Sequence, residues 1–381
     1  VSAVSGIISD YGYNHGEQSA AGAGQLMAAT WNNNITLVEG RGSFGTRLIQ
    51  EAGAPRYVYT RLSDNFDKYI KDINLAPEHG DPEHEPPAFY VPIMPLVLVN
   101  GTKGIATGFA THILPRDPVD LITACQQYLS TGKIKVDLGL KFPEFKGTVS
   151  KDLETNGKYH VEGVWSKKGK TTLMIEEVPY GFDRESYVKI LDSLEDDGDI
   201  VSYEDLCDKD GFKFDVKLKQ QTSAKWTSTK LVSKFKLSKP LTENLTVIDF
   251  NGKLREYKDP KELIKDFCDY RLGILQKRID IEVQKYKDDI RWLNIRLMFI
   301  EAIRNKEIDI MNMGRQETIK ATVKVTGCDA VEVGKLISMP IQSIMKSEPA
   351  QFKKKITETK KILKFWESTT SADQFTSDLK G

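Results

Sequence analysis

The sequence LGILQKRIDIEVQKYKDDIRWLNIRLMFI at residues 272–300 decides the fold of the last third of the chain. Its apolar residues recur at steps of three or four along the whole stretch. They are Leu275, Ile279, Val283, Tyr286, Ile290, Leu293, Leu297 and Ile300. A seam that continues for more than three heptads predicts one long helix that packs lengthwise against another helix.

A second, shorter apolar seam lies farther along the chain. Its members are Phe352, Ile356, Leu363 and Trp366. The residues between the two seams, 301–351, have their own apolar clusters and contain the helix breaker Pro340. Two seams that flank a compact insert indicate an antiparallel helical hairpin with a globular tip. An ordinary helical bundle is the alternative interpretation.

The chain before the long helix divides into two regions of different texture. Residues 119–256 alternate apolar and polar side chains as β-strands do, for example at Thr171–Val178 and Leu245–Asp249. Residues 1–118 are rich in Gly, Ala and Asn and contain short helical and strand-like pieces. Because 381 residues suffice for two or three domains, we predict three: 1–118, 119–256 and 257–381.

The bulk composition excludes several classes of protein. Hydrophobic residues make up 40% of the chain and charged residues 28%, and no apolar run is long and uninterrupted enough to span a membrane. The four cysteines are scattered, without the CxxC pairs of a zinc ribbon or the density of a disulfide framework. We therefore expect a reducing, cytoplasmic location. The sequence starts with neither Met nor a signal-like segment, which is compatible with a fragment.

The charge distribution is more informative than the net charge. The formal net charge is zero, which by itself is weak evidence against nucleic-acid binding. However, the segment from Lys209 to Lys239 contains nine lysines against only Asp210 and Asp215. This segment is either a solvated face or a strip that follows a phosphate backbone.

The segment Ala54–Ser63, APRYVYTRLS, contains a candidate nucleophile. An unperturbed phenol has a pKa of about 10 and is a weak nucleophile at neutral pH. The guanidinium of Arg56 beside Tyr57 would favour the phenolate and hold a nonbridging phosphate oxygen. Attack of Tyr57 on a phosphodiester would be reversible, because a phosphotyrosyl ester resembles the starting diester. A Tyr–Arg pair alone is common, and most such tyrosines only pack.

Three more segments are candidates for contacts with a phosphate backbone or with bases. The run from His15 to Thr30 has many small residues and predicts either a helix that approaches a ligand closely or a tightly packed internal helix. Glu39–Leu48 contains glycine turns with Arg41 and Arg47 placed to reach phosphates; a structural β-turn is the alternative.

The third of these segments is Val91–Gly108, in which an apolar strand leads to a glycine-rich loop. Ile105 is the only large apolar residue of that loop. It either wedges between base steps or faces the core.

The sequence contains no convincing metal cluster or nucleotide-binding loop. The polar residues at 79–85 include two histidines and several acids, but loop polarity explains them. Gly169-Lys170-Thr171 lacks the upstream spacing of a phosphate loop, and no hydrophobic strand precedes Asp197-Gly198-Asp199. A hydrolytic enzyme built on residues 79–85 is therefore a remote alternative.

Four blocks, in this order, resemble the breakage-reunion (A-type) subunits of type II DNA topoisomerases, most closely those of T4-type phages. They are His15–Ser19, Gly42–Leu48, Pro55–Ser63 and Phe89–Pro115. Ile175–Tyr180 (IEEVPY), Lys265–Ile279 and Leu336–Glu348 also resemble landmarks of this family. The resemblance covers nearly the whole chain.

The resemblance implies an α+β fold with three parts. Residues 1–118 would form a winged-helix catalytic domain, truncated at its N-terminus, with Gly16–Thr30 as its recognition helix. Residues 119–256 would form a mixed α/β tower domain. Residues 257–381 would form a long antiparallel coiled coil, with a globular dimerisation tip, the C-gate, at about 305–345.

The resemblance also implies the site residues. Tyr57 would be the nucleophile that links to DNA, with Arg56 and His15 in the cleavage centre and Ile105 as the intercalating residue. The further DNA contacts that we predict are Lys103, Arg41, Arg47, Gln18, Ser19 and Ser43.

By the same resemblance, two copies would cut both strands of a duplex through 5′-phosphotyrosyl links, let a second duplex pass, and rejoin the ends. Double-stranded DNA, a second copy and a large ATPase/Toprim protein are the implied partners. Mg²⁺ and ATP are expected on the partner subunits. A phage-encoded protein would act in the host cytoplasm.

Some features depart from the family. The basic segment usual before the position of Val1 is absent, Arg41 replaces the usual glutamine, and Ala23 replaces a frequent threonine. Nothing after Gly381 resembles a DNA-wrapping domain, so active negative supercoiling is not expected. The alternative function is that of an architectural, dimeric winged-helix DNA-binding protein without cleavage activity.

Overall fold

The computed structural model describes residues 1–81, 84, 86–310, 312–340 and 348–380. It is a mixed α/β structure that divides into two compact units. The first unit comprises Val1–Arg271 and the last residues from Asp378, and the second comprises Leu272–Ser377. The predicted domains 1–118 and 119–256 both lie in the first unit, so the boundary between them stays a prediction.

The first part of the first unit consists of short helices and two separate antiparallel pairs of strands. Its helices are α1 Ser2–Ile7, α2 Glu17–Ala28, α3 Asp64–Tyr69, α4 Leu96–Asn100 and α5 Pro118–Thr131. Its strands are β1 Val38–Arg41, β2 Tyr59–Leu62, β3 Thr102–Ala106 and β4 Phe109–Ile113. Strands β1 and β2 pair antiparallel, and so do β3 and β4. Three of the predicted site residues, Arg41, Lys103 and Ile105, lie on these strands, and four more lie in the segment between β1 and β2.

The second part of the first unit consists mainly of β-strands. The strands are β5 Thr148–Lys151, β6 Lys158–Glu162, β7 Val164–Lys168, β8 Thr172–Glu177, β9 Ile200–Asp205, β10 Phe214–Leu218, β11 Ser238–Thr242, β12 Leu245–Ile248 and β13 Leu254–Tyr257. The helices are α6 Arg184–Asp196, α7 Gln220–Lys225 and α8 Ser228–Lys234. The strands predicted at Thr171–Val178 and Leu245–Asp249 are confirmed as β8 and β12.

Two antiparallel sheets organise this part. One has the strand order β7-β8-β10-β9, and the other has the order β11-β6-β5. Alternate residues of β8, such as Leu173 and Ile175, are fully buried in the larger sheet's core with Tyr187 and Leu191 of α6. The strand period of two places these apolar residues on one face, and burial of that face against α6 stabilises the sheet.

Helices α9 Pro260–Arg304, α10 Arg315–Thr326, α11 Ala330–Ile337, α12 Glu348–Ser368 and α13 Ser371–Asp378 follow. The long apolar seam lies on the single 45-residue helix α9, as its period predicts.

In the second unit, α9 and α12 run antiparallel, because Lys287 pairs with Glu367 whereas Glu301 pairs with Lys353. Leu293, Leu297 and Ile300 of α9 pack against Phe352 and Ile356 of α12. The end of α9 also packs with residues of α11, including Val333 and Leu336.

No helix among the described residues is long and apolar enough to cross a membrane.

Candidate active site

Tyr57 lies on an exposed turn that leads into β2. Its side chain is 68% exposed, and its backbone N–H donates a hydrogen bond to the Ala54 carbonyl over 2.9 Å. The guanidinium carbon of Arg56 lies 4.9 Å from the centre of the Tyr57 ring. The turn therefore presents a phenol and an adjacent fixed positive charge to the solvent, which is the arrangement that attack on a phosphodiester requires.

The turn is held from beneath by α2 and by the loop that follows β1. Val58 is only 3% exposed and packs with Ala28 of α2 and with Phe44. Gln25 of α2 donates a hydrogen bond to the Gly53 carbonyl over 2.7 Å. At Gly42, which has a φ of +114°, an added Cβ would lie 3.1 Å from Val58 Cγ1. Glycine at this position allows the loop to approach the residue next to Tyr57.

The start of α2 exposes the predicted polar residues. His15, Gln18 and Ser19 are all exposed, whereas Ala20 and Ala21 are buried. The His15 ring packs edge-on against Tyr13, with the ring centres 5.5 Å apart. Two alanines of the helix therefore pack it against the protein, whereas a Cβ added at Gly22 or Gly24 would meet no neighbouring atom within 4 Å. The helix is thus only partly internal, and its close approach to a ligand stays a prediction.

Arg41 and Ser43 lie close to the Tyr57 turn. Arg41 is the cross-strand partner of Tyr59, which is two residues after Tyr57, and its side chain is exposed. Ser43 is also exposed, and its carbonyl accepts a hydrogen bond from the Gly53 N–H over 2.9 Å. The structure thus places an exposed guanidinium and a hydroxyl beside the candidate nucleophile.

Arg47 is a correction to the sequence prediction. Its side chain is 5% exposed, and its guanidinium pairs with Glu177 over 3.5 Å and donates hydrogen bonds to the carbonyls of Phe182 and Val178. Burial raises the pKa of the Glu177 carboxyl, and the positive charge of Arg47 opposes that rise. Arg47 is enclosed because Glu177, from the IEEVPY segment, neutralises it internally. Its placement is that of a structural residue and not of a phosphate contact.

The hairpin β3–β4 presents Ile105 to the solvent. Ile105 is 87% exposed and lies opposite Ala110, beside the turn at Thr107 and Gly108. The alternative that Ile105 faces the core is thereby ruled out. Lys103 lies two residues before Ile105 on β3, so both side chains project from the same face of the hairpin. A bulky apolar residue on an exposed hairpin next to a lysine suits insertion into a kinked duplex.

A buried ion pair holds the base of this hairpin. The Arg116 guanidinium donates two hydrogen bonds to the Glu243 carboxylate, over 2.8 and 2.6 Å, and both side chains are almost fully buried. The Glu243 carboxylate also accepts a hydrogen bond from the N–H of Leu114, just after β4. The sequence did not point to this pair, since its members are 127 residues apart.

Among the residues that the structure describes, no group of three or more His, Cys, Asp or Glu side chains is arranged to hold a metal ion. Glu83 and Glu85, which belong to the polar run at 79–85, lie outside the described residues, as does position 82. The described side chains therefore offer no set of ligands for a metal ion.

Known proteins with the same fold identify the class. The chain superposes on the Plasmodium falciparum topoisomerase II DNA-binding, cleavage and re-ligation domain with a TM-score of 0.87 and 24% identity, covering 100% of this chain and 57% of that one. The fold is therefore that of a type II topoisomerase cleavage domain. Residues 1–380 match the family of the A subunits of DNA gyrase and topoisomerase IV. The chain belongs to this family.

Several relatives of this chain are topoisomerases. The DNA topoisomerase medium subunit of Enterobacteria phage T4 is 38% identical, over 100% of this chain and 86% of that protein. DNA topoisomerase 2 of Arabidopsis thaliana is 29% identical over 83% of this chain, and the mitochondrial DNA topoisomerase 2 of Dictyostelium discoideum is 30% identical over 84%. The chain spans only 22% and 26% of these two longer proteins. The alternative of an architectural protein without cleavage activity finds no support.

Proposed function

We propose that this chain is the DNA-cleaving and religating subunit of an ATP-dependent type II topoisomerase, with Tyr57 as the residue that links to DNA. The observation that supports this most directly is the exposed Tyr57 phenol beside the Arg56 guanidinium, on a turn that α2 holds in place. Homologues with topoisomerase activity support the reaction type.

In the proposed reaction the Tyr57 oxygen attacks a backbone phosphorus. The phosphorus–tyrosine bond forms, the bond from phosphorus to the 3′ oxygen breaks, and the phenol loses its proton while the 3′ oxygen gains one. Arg56 and His15 stabilise the charge on the phosphate oxygens. The reverse attack of the 3′-hydroxyl rejoins the strand without an external energy source, because one ester is exchanged for another.

The DNA contacts of this proposal come from three exposed segments. Gln18 and Ser19 start α2, Arg41 and Ser43 lie beside the nucleophile, and Lys103 and Ile105 lie on the hairpin β3–β4. Ile105 wedges into a base step and kinks the duplex. Kinking the duplex costs roughly a few kcal/mol, and the wider contact between protein and DNA offsets this cost.

The assembly is proposed on the pattern of the family. Residues 1–118 are a winged-helix domain, 119–256 a tower, and 257–381 a coiled-coil arm with a C-gate dimer interface at about 305–345. Residues 311 and 341–347 lie outside the described residues. A large subunit supplies ATP binding and a Mg²⁺-binding Toprim region, and the complex acts in the cytoplasm of a phage host. Two copies of the chain act together on double-stranded DNA.

A covalent-trapping experiment tests the function. The chain is mixed with the T4-type large subunit, Mg²⁺ and 3′-end-labelled duplex, and the mixture is then denatured and run on a denaturing gel. Wild type should yield protein-linked DNA, and Tyr57→Phe should yield none because it lacks the nucleophilic oxygen. Tyr59→Phe is the matched control, since Tyr59 is also an exposed tyrosine, at 66%, and its variant should trap DNA as wild type does.

The absence of an adduct from wild type, in a complex that has assembled and binds the duplex, would refute the cleavage function. An adduct that persists in Tyr57→Phe but is lost in Tyr59→Phe would move the nucleophile to Tyr59.

A further inference from the structure

Lys239 on β11 is a half-buried lysine whose ammonium has no acidic partner among the described residues. Its Nζ lies 5.0 Å from the centre of the Phe182 ring, and a Cβ added at Gly181 would lie 2.8 Å from it. Within the part of the chain that the structure describes, no carboxylate or carbonyl bonds to this ammonium. The aromatic face and the close backbone hold the stem of Lys239, but no described group neutralises its charge.

The charges around Lys239 are positive. Burial lowers the pKa of the Lys239 ammonium, and the positive charges of Lys103 and Arg47 lower it further. Arg47 bonds to the carbonyls of Val178 and Phe182 in the same loop that Lys239 contacts, and Glu177 neutralises it. Of these three cations, Lys103 and Lys239 therefore remain without an acidic partner in the described part of the chain.

Contacts between the hairpin β3–β4 and the end of β11 connect these two lysines, which are far apart in the sequence. Lys103 is the cross-strand partner of His112 in the hairpin β3–β4. The His112 ring lies 2.9 Å from the carbonyl of Thr242, at the end of β11, and the His112 backbone bridges to Asn244. The hairpin thus meets the chain at the end of β11, three residues after Lys239, and its Ile105 face carries Lys103.

We propose that Lys239 and Lys103 together bind one phosphate of the DNA backbone, next to the base step that Ile105 opens. This inference rests on the proposed function, because Lys103 lies on the face of the hairpin that carries Ile105. The half-buried Lys239 ammonium and the exposed Lys103 ammonium repel one another, and an anion bound between them relieves that repulsion. Nonbridging phosphate oxygens supply such an anion.

The contacts of Lys239 distinguish it from the other lysines of the segment Lys209–Lys239. Lys230 on α8 is exposed and belongs to the same segment, and in the described part of the chain no hydrogen bond, ion pair or ring contact joins its side chain to the hairpin or to Phe182. It is therefore the matched control for a lysine that adds only to the general positive potential.

The test measures how DNA affinity depends on salt for the full chain and a fluorescent duplex. Removal of one phosphate contact lowers the slope of log affinity against log salt by about 0.9. Lys239→Gln and Lys103→Gln should each lower the slope by an amount approaching this value, and the double variant should lose less affinity than the sum of the two single losses. Lys230→Gln should leave the slope near that of wild type.

Two results would overturn the proposal. The first is a wild-type slope for Lys239→Gln, including the case in which that variant only melts at a lower temperature, which is the signature of a purely structural lysine over Phe182. The second is strict additivity of the two variants, which would mean two separate contacts.

The outcome separates this inference from the proposed function. If wild type forms the Tyr57 adduct while Lys239→Gln keeps the wild-type slope, only the phosphate site is wrong. If wild type forms no adduct in an assembled complex, the proposed function fails whatever the slopes are.

Discussion

The Arg116 guanidinium and the Glu243 carboxylate face each other in a buried, two-point ion pair beneath the hairpin that presents Ile105. The pair joins the end of β4 to the connection between β11 and β12. The segment that is proposed to open the DNA is thereby held from a part of the chain more than a hundred residues away. A hairpin held at its base can push against a duplex, whereas a free loop would yield.

Breaking this pair should destabilise the first unit. Glu243→Gln removes one charge and leaves the Arg116 guanidinium buried without its counter-ion, so the free energy of unfolding should fall by about 3 kcal/mol or more. Urea denaturation measures the change. The control is Glu185→Gln, which breaks the exposed pair of Glu185 with Lys189 and should leave the free energy of unfolding close to that of wild type. Equal small losses in both variants would contradict the structural role of the buried pair.

The exposed Ile105 side chain should matter for DNA and not for folding. Ile105→Ala removes the wedge, so the bending of a duplex labelled at both ends and the yield of covalent adduct should both fall. The urea midpoint should stay within error of wild type because the residue is 87% exposed. Leu153→Ala is the control, since Leu153 is 98% exposed and belongs to no predicted site. Unchanged energy transfer between the two labels in Ile105→Ala would contradict the wedge.

Arg41 and Arg47 should behave in opposite ways, although both stand in the same glycine-rich segment. Arg41→Gln should weaken DNA binding and lower the slope of log affinity against log salt concentration by about 0.9. The free energy of unfolding should not change, because the Arg41 side chain is exposed. Arg47→Met should lower the free energy of unfolding by about 3 kcal/mol or more, since it leaves Glu177 buried without its cation. Fluorescence anisotropy and urea denaturation separate the two effects. A large loss of stability in Arg41→Gln would reverse the assignment.

Asp183, at the start of α6, should make the free energy of unfolding depend on pH in the acid range. The Asp183 carboxylate accepts a hydrogen bond from the N–H of Ser186 at the start of α6. Hydrogen bonding by Ser186 holds the pKa of Asp183 below its ordinary value.

The sign of the acid effect follows from that lowered pKa. The stabilisation is present above about pH 4, the ordinary range of an aspartate, and is lost as the pH falls through the lower folded value. Asp183→Asn keeps a capping side chain that does not titrate. Wild type should therefore lose stability relative to Asp183→Asn as the pH falls below about 4. A pH-independent difference between wild type and Asp183→Asn would refute the cap.

The features that could be predicted from the sequence are those that local physics specifies. The 45-residue helix α9 follows from a seam of apolar residues at helical spacing, and β8 and β12 follow from alternation. The small-residue run forms α2. The candidates Tyr57 and Ile105 came from ordered local blocks, and both side chains are exposed as a reactive or inserting residue must be.

Other features depended on contacts between distant residues. Nothing near Arg47 in the sequence indicates that Glu177 will neutralise it, and the arginine was therefore predicted as a phosphate contact. Likewise, Lys239 looked like one of nine equivalent lysines until β11 was placed beside the hairpin that carries Lys103.

The sequence by itself determined the long helix, the order of the segments and the chemistry available at Tyr57. Periodicity and side-chain type are local properties, so they can be read directly from the order of the residues. The tertiary structure decided which charges are neutralised internally and which stay available for DNA. A charge is neutralised by the groups that folding brings within a few ångströms of it, and in this protein those groups lie more than a hundred residues away for both Arg47 and Arg116.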